Sequence, residues 1–288
     1  MDYNNIFLNY QKPLLVDGAI GSLIQQRGGF IDDILWSSKA NLIQPELVKT
    51  IYMEYISAGC DIKTTNTFRT NHVALLQSGE DINIEEFVKV SVNICKESIV
   101  DKRILIAGSN APSEDCYQKE RIVAYPLLEY NHKKHIELLW ENGCDFILNE
   151  TQSHFDEIKI ISKFCSRNKI PFVISLFFDD NLRLLSGELV REVIDFISEY
   201  NPLCLSVNCI SDKLFKKLNG QTDKRLSFYL NCGSGNYSDT AIKCGIDAEN
   251  YLEQIKSYIT KDINFVGACC GSNTSHIKTL RSYIDSLY

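Results

Sequence analysis

Val266-Gly267-Ala268-Cys269-Cys270-Gly271-Ser272-Asn273 sets two adjacent cysteines among small residues, after the apolar run Ile263 to Val266 and before an Asn-Thr-Ser helix start. Vicinal cysteines rarely bridge each other, because disulfide geometry is strained across one peptide bond. As thiolates they can hold one soft metal, and a third sulfur from elsewhere would leave one tetrahedral position open for a substrate. Cys209, in Leu205-Ser206-Val207-Asn208-Cys209, is the best third sulfur, since it too follows a buried-looking strand. Most cysteines are simply small core residues. That role suits Cys60, Cys95, Cys144, Cys165 and Cys204, which fall in or beside apolar patterns. A Cys-Cys pair at a glycine-rich strand end serves packing poorly and reads as a ligand set.

Other polar groups also gather at the ends of apolar runs. Pro13 to Val16 delivers Asp17 to the turn Gly18-Ala19-Ile20-Gly21-Ser22, and Cys60 to Thr65 ends in Asn66-Thr67-Phe68. The run Asp145 to Asn149 delivers Glu150 and Thr151, and Ser153 and Asp156 have the spacing of a helix-capping pair. Further strands are expected at Arg103 to Gly108, Pro171 to Phe177, Leu203 to Val207, Leu226 to Leu230 and Ile263 to Val266. Helical spacing links them. Leu47, Val48, Ile51, Tyr52 and Tyr55 form one amphipathic face between Pro45 and Gly59. Similar patterns lie near 85–100, 131–142, 189–197, 248–259 and 275–287. Ala58-Gly59-Cys60-Asp61 and Asn142-Gly143-Cys144-Asp145 echo each other at a helix-to-strand passage.

Strands alternating with helices over most of the chain predict an α/β fold, a single (β/α)8 TIM barrel, occupying residues 1–288 as one domain. Asp17, Asn66, Glu150, Asn208, Cys209, Asn231, Cys269 and Cys270 would then converge at the carboxyl ends of the strands, where barrel active sites lie. Three thiolates from the sixth and eighth strands would hold a zinc ion, with two carboxylates facing its free position. A net charge of -7 argues against nucleic acid or an anionic membrane as partner, because both depend on clustered Lys and Arg. A small molecule is the expected partner; oligomeric state is not legible. No leader and no apolar stretch near the ~20 residues of a membrane helix occurs, which points to a cytoplasmic protein. Eleven cysteines without a framework spacing point to free thiols in a reducing compartment.

These residues resemble the homocysteine S-methyltransferase family, whose members carry an Asp-Gly turn after the first strand, Asn-Cys after the sixth and Gly-Gly-Cys-Cys-Gly after the eighth. The resemblance runs from Pro13 to the last helix and rests on three motifs in order. It implies that Cys209, Cys269 and Cys270 are zinc ligands and that Asp17 and Glu150 hold the amino group of homocysteine. Gly18 and Asn208, at the same strand ends, complete the expected substrate-binding set. No catalytic side chain is implied beyond the zinc-activated substrate thiol. The expected reaction is methyl transfer from a sulfonium, S-methylmethionine or S-adenosylmethionine, to homocysteine, a step of methionine biosynthesis. Leu35-Trp36-Ser37-Ser38-Lys39, with Pro45-Glu46-Leu47, looks like the sulfonium-using members. Ala268 replaces a family glycine, Asn231-Cys232-Gly233-Ser234-Gly235 departs from the usual Pro-Asn-Ser-Gly-Glu, and Ser109 to Tyr117 lacks a Gly-Glu-Tyr pattern. A betaine donor, or a silent zinc and homocysteine sensor, stand as alternatives.

Cys232-Gly233-Ser234-Gly235-Asn236 could instead cradle a phosphate, as loops after the seventh and eighth barrel strands often do. A lone Gly-Ser-Gly is weak, and that reading leaves the cysteine pair unexplained. His132 and His135, three apart around Lys133 and Lys134, read as part of a solvated basic helix face, and no His-Glu-x-x-His is present.

Overall fold

The computed structural model describes residues 6–7, 10–99, 103–234 and 241–288. Eight parallel strands form one sheet: β1 Leu14–Leu15, β2 Ile62–Thr64, β3 Leu105–Asn110, β4 Phe146–Gln152, β5 Phe172–Leu176, β6 Cys204–Asn208, β7 Leu226–Leu230 and β8 Phe265–Ala268. Neighbours pair in chain order from β2 to β8, and β8 pairs β1 through Leu14↔Phe265 and Leu15↔Val266. A parallel bridge between Val16 and Ile62 joins the last two edges, and the sheet closes into the expected barrel. Phe7 packs edge-on against Phe146 and Phe265, at 5.5 and 6.1 Å. Those two rings belong to opposite strands, so Phe7 sits on the barrel axis and plugs its amino end.

The strands are apolar on both faces because lumen and helix layer are both dry, which is why they read as continuous runs and not as alternations. The helical face at 45–59 buries Val48, Ile51, Tyr52 and Tyr55, as its spacing predicts. The two echoed Gly-Cys-Asp passages share one device. Asp61 Oδ2 accepts from Leu15 N at 2.9 Å, and Asp145 Oδ2 accepts from Ile106 N at 2.7 Å, so each carboxylate holds the amino end of the preceding strand. No described helix is long and apolar enough to cross a membrane.

Three expectations need correction. Strand β4 runs past Asn149 to Gln152, with a register shift against β5 between Asn149 and Gln152, so Glu150 is inside a strand. Ser153 and Asp156 do not cap the next helix. That helix, Phe155–Asn168, follows His154 without a side-chain cap, while Ser153 Oγ donates to the Cys116 carbonyl and Asp156 pairs with Arg121.

The third correction concerns the histidines. Helix Tyr125–Glu141 turns His132 and His135 inward, both with no exposed surface, while Lys133 and Lys134 pair with Glu129 and Glu85. Buried imidazoles need partners, and Asn110 on β3 supplies both. His135 Nδ1 lies 2.8 Å from Asn110 Oδ1 and Nε2 lies 2.8 Å from Thr70 Oγ1. His132 meets Asn110 at 3.2 Å and Glu157 at 2.5 Å. Burial, then the neighbouring His132, pushes the His135 pKa down to about 3. Its depressed folded pKa means that only the unfolded chain takes up this proton as pH falls below about 6.5, so stability is lost on acidification. Urea unfolding at pH 7.5 and 5.5 should show His135→Asn to be less pH-sensitive than wild type by about 1.4 kcal/mol for the unit below pH 6.5. Equal sensitivity would refute the assignment.

Candidate active site

The carboxyl ends of the strands enclose a cavity of about 500 Å³. Asp17, Gly18, Glu150, Asn208, Cys209, Cys269 and Cys270 all line it, so residues from four strand ends converge as the barrel reading requires. Sulfur occupies one wall. The ligand atoms of Cys209, Cys269 and Cys270 all lie within 4.8 Å of one another, and Cys209 Sγ is 3.7 Å from Cys270 Sγ. A soft ion with metal–sulfur bonds of about 2.3 Å has tetrahedral sulfur–sulfur edges of roughly 3.8 Å, which the Cys209–Cys270 pair already matches. Three sulfurs and an open side facing the cavity fit a thiophilic ion with a substrate position.

Cys209 and Cys269 are joined as a disulfide, with Cα atoms 5.6 Å apart, against the expectation that all thiols are free. Two thiols brought within ligand reach of each other are also within bonding reach, and reduction of this pair is needed before all three can bind as thiolates. The other nine cysteines are free. Cys232 is buried one strand away from the cluster, its backbone N–H on the Cys270 carbonyl at 2.9 Å.

The local backbone explains why these cysteines point where they do. Cys209 has φ 55°, a left-handed turn straight after β6 that re-aims its side chain. Gly271 has φ 82°, and a Cβ there would meet Gly233 Cα at 2.5 Å, so glycine is required where the loops after β7 and β8 touch. Gly233 thus serves that contact. Gly235 and Asn236, the remainder of the candidate phosphate loop, lie outside the described residues.

Two carboxylates line the same cavity, Asp17 after β1, beside β8, and Glu150 in β4, across the barrel from β8. Asp17, 2% exposed, accepts from the Thr64 backbone N–H at 3.1 Å and from its hydroxyl at 2.9 Å. Burial pushes the Asp17 pKa up to about 7, opposed first by the charge of Lys63 and then by the two Thr64 hydrogen bonds, while Glu150 adds to the rise. Glu150 accepts from Ser109 Oγ at 2.5 Å and Tyr229 OH at 3.1 Å; burial raises its pKa and both donors resist. Gly18 makes room for Tyr55, whose hydroxyl would stand 2.6 Å from any Cβ there. Asn208 commits its amide to Thr151, accepting from its N–H at 2.8 Å and donating to its hydroxyl at 2.9 Å. Thr151 has φ 55°, rare for a β-branched residue, so Asn208 locks the strained step that follows Glu150.

Sequence reasoning missed Tyr229, Ser109 and Lys63. Tyr229 and Ser109 look like ordinary strand residues until β3, β4 and β7 close around Glu150. Lys63 has no exposed surface and, among the described residues, its Nζ has no hydrogen-bond partner, resting 3.7 Å from the centre of the Tyr52 ring. A lysine inside an expected barrel strand was the available signal.

A family model described as homocysteine S-methyltransferase matches residues 14–284. The chain is 24% identical to homocysteine S-methyltransferase YbgG of Bacillus subtilis over 96% of each chain, and 20% identical to a selenocysteine Se-methyltransferase of Brassica oleracea, covering 94% of this chain and 89% of that one. Its fold is similar to that of the metallated homocysteine methyltransferase MmuM of Escherichia coli, with a TM-score of 0.79 at 23% identity over 97% of this chain and 99% of the other.

Metal analysis tests the sulfur wall. After reduction and loading, the wild-type chain is expected to hold about one ion of zinc, and Cys209→Ser, Cys269→Ser and Cys270→Ser each to lose most of it. Cys232→Ser should keep it. Full retention by the Cys270 variant would remove that residue from the ligand set.

Proposed function

Because the chain belongs to the homocysteine S-methyltransferase family, we propose that Cys209, Cys269 and Cys270 form a zinc site where homocysteine takes a methyl group from a sulfonium, S-methylmethionine before S-adenosylmethionine, to give methionine. The observation that carries this reading is the presence, in one cavity, of three clustered sulfurs and two buried carboxylates. Zinc, when bound, acts as a Lewis acid that makes the substrate sulfur available as a thiolate near neutral pH.

The chain's own residues do the rest. Asp17 and Glu150 are buried carboxylates fixed by Thr64, Ser109 and Tyr229, and each keeps cavity-facing lone pairs for an ammonium group. A substrate ammonium compensates two charges whose burial is otherwise unfavourable, which selects an α-amino acid over a simple thiol. Holding the ammonium at that wall aims the side-chain sulfur at the cysteine wall, and this orientation lowers the barrier for in-line attack. A new carbon–sulfur bond forms from the thiolate's electron pair. The donor's methyl–sulfur bond breaks with its pair left on the donor sulfur, so the positive charge disappears, and the thiol proton is released to solvent.

A cationic donor suits a cavity lined by acids and thiolates. A site needing three reduced cysteines suits the cytoplasm, and we read residues 1–288 as one homocysteine-binding barrel domain.

Two measurements test this reading. Labelled methyl groups supplied on S-methylmethionine, S-adenosylmethionine, betaine or methyltetrahydrofolate should reach methionine from the sulfonium donors. Label from betaine or the folate alone would reject the sulfonium, and label from none, with homocysteine still bound, would favour a sensor. In the second, Asp17→Asn and Glu150→Gln should each weaken homocysteine about tenfold to hundredfold with zinc content unchanged. The raised Asp17 pKa, about 7, means that carboxylate is lost as pH falls below 7. Wild-type affinity should therefore drop more steeply below pH 7 than that of Asp17→Asn, by up to about tenfold per pH unit. Parallel profiles would exclude Asp17 as the ammonium partner.

A further inference from the structure

The cavity carries six acids, Asp17, Asp32, Asp33, Glu114, Asp115 and Glu150, and one cation among its described lining residues, Arg69. Arg69 follows β2 and is half-buried. Its guanidinium carbon lies 5.4 Å from the centre of the Phe68 ring, which meets Trp36 edge-on at 6.1 Å. The backbone N–H donates to Ser38 Oγ at 3.0 Å, and Nη1 donates to the Glu114 carbonyl at 2.7 Å. Among the described residues that is the side chain's one hydrogen bond, and no carboxylate stands within ion-pair reach. Arg27, Arg121 and Arg281 each hold at least one carboxylate.

Arg69 lines the same cavity as Cys116 and the sulfur cluster. A guanidinium in a cavity of acids, with most of its fork unused, is built to receive a carboxylate brought in by a ligand. Homocysteine's ammonium is accounted for at Asp17 and Glu150, on β1 and β4. The rim formed by Trp36, Phe68 and Arg69 is left for the second substrate, and aromatic rings attract a sulfonium through their faces.

Resting on the sulfonium reading above, we infer that Arg69 anchors the α-carboxylate of the methyl donor, so the site selects amino-acid sulfoniums over sulfoniums that lack a free carboxylate. Two positive centres on such a donor, its ammonium and its sulfonium, meet the acidic lining, and its one negative group meets the one cation.

The test compares S-methylmethionine with its neutral carboxamide, using zinc-loaded protein and saturating homocysteine. In the wild-type chain kcat/KM should favour the acid by about tenfold to hundredfold. Arg69→Met should abolish that preference by slowing the acid and not the amide. Arg69→Lys, which keeps the charge without the fork, should fall between. Homocysteine binding measured by calorimetry should be the same in all three; a loss confined to the Arg69 variants would give the guanidinium to homocysteine's own carboxylate and overturn the inference. A preference that survives in Arg69→Met overturns the inference. So does an equal loss on both donors, which would assign Arg69 to holding the Glu114 loop. Absence of transfer from either sulfonium in the wild-type chain overturns the sulfonium reading itself, and the anchor with it.

Discussion

The seam between β1 and β2 is the constraint on which the rest depends. Val16 pairs with Ile62 there, the Asp17 N–H donates to the Ile62 carbonyl at 2.9 Å, and the Asp17 carboxylate takes both donors of Thr64. Closing the barrel and fixing the buried acid are one event. Were the edges to part, the sheet would expose two unpaired strands and the carboxylate would lose the bonds that keep it charged in a dry cavity. β1 owns only two residues of regular strand. Its short ladder is reinforced by Asp61, whose carboxylate holds the Leu15 N–H and also pairs with Arg281 of the last helix at 2.9 Å.

Electrostatics divide the mouth into two walls. Carboxylates on β1 and β4 are raised toward neutrality by burial, and cysteines on the β6 and β8 ends gather negative charge once they bind a metal as thiolates. A ligand with a positive amino end and a nucleophilic sulfur satisfies both walls at once. Lys63 lies behind the first wall, in the helix layer. Its positive charge does most to hold the Asp17 pKa down against burial, yet among the described residues its ammonium finds no hydrogen-bond partner, so a buried cation is kept near a buried anion at a cost borne by the rest of the core.

A second polar network lies outside the lumen, between β3, β4 and two helices. Glu157 receives His132, Arg121 at 2.7 Å and the Ser113 N–H at 2.9 Å; burial alone would raise its pKa, and these three partners together hold it low. Ser113 and Arg121 flank the loop that carries Glu114, Cys116 and Tyr117 into the cavity, so the network fixes one part of the site from behind. Buried polar clusters of this kind rigidify what they touch.

The sequence by itself determined the alternation of strand and helix, hence the barrel, because dry strands and amphipathic helices leave periodicities that short-range patterning records. It also determined the candidate site, since Asp17, Glu150 and the three cysteines stand where apolar runs stop. Tertiary structure alone decided how they are held. Tyr229 and Ser109 on Glu150, Asn208 on Thr151, and His132 and His135 on Asn110 are contacts between residues 22 to 79 positions apart. Burial of the histidines was invisible for the same reason: two histidines on either side of a lysine pair look wet until a strand presents an asparagine to them. Local sequence sets which chemical groups are available at each strand end. Whether a polar group faces solvent or a buried partner depends on distant strands, and only closure of the barrel supplies them.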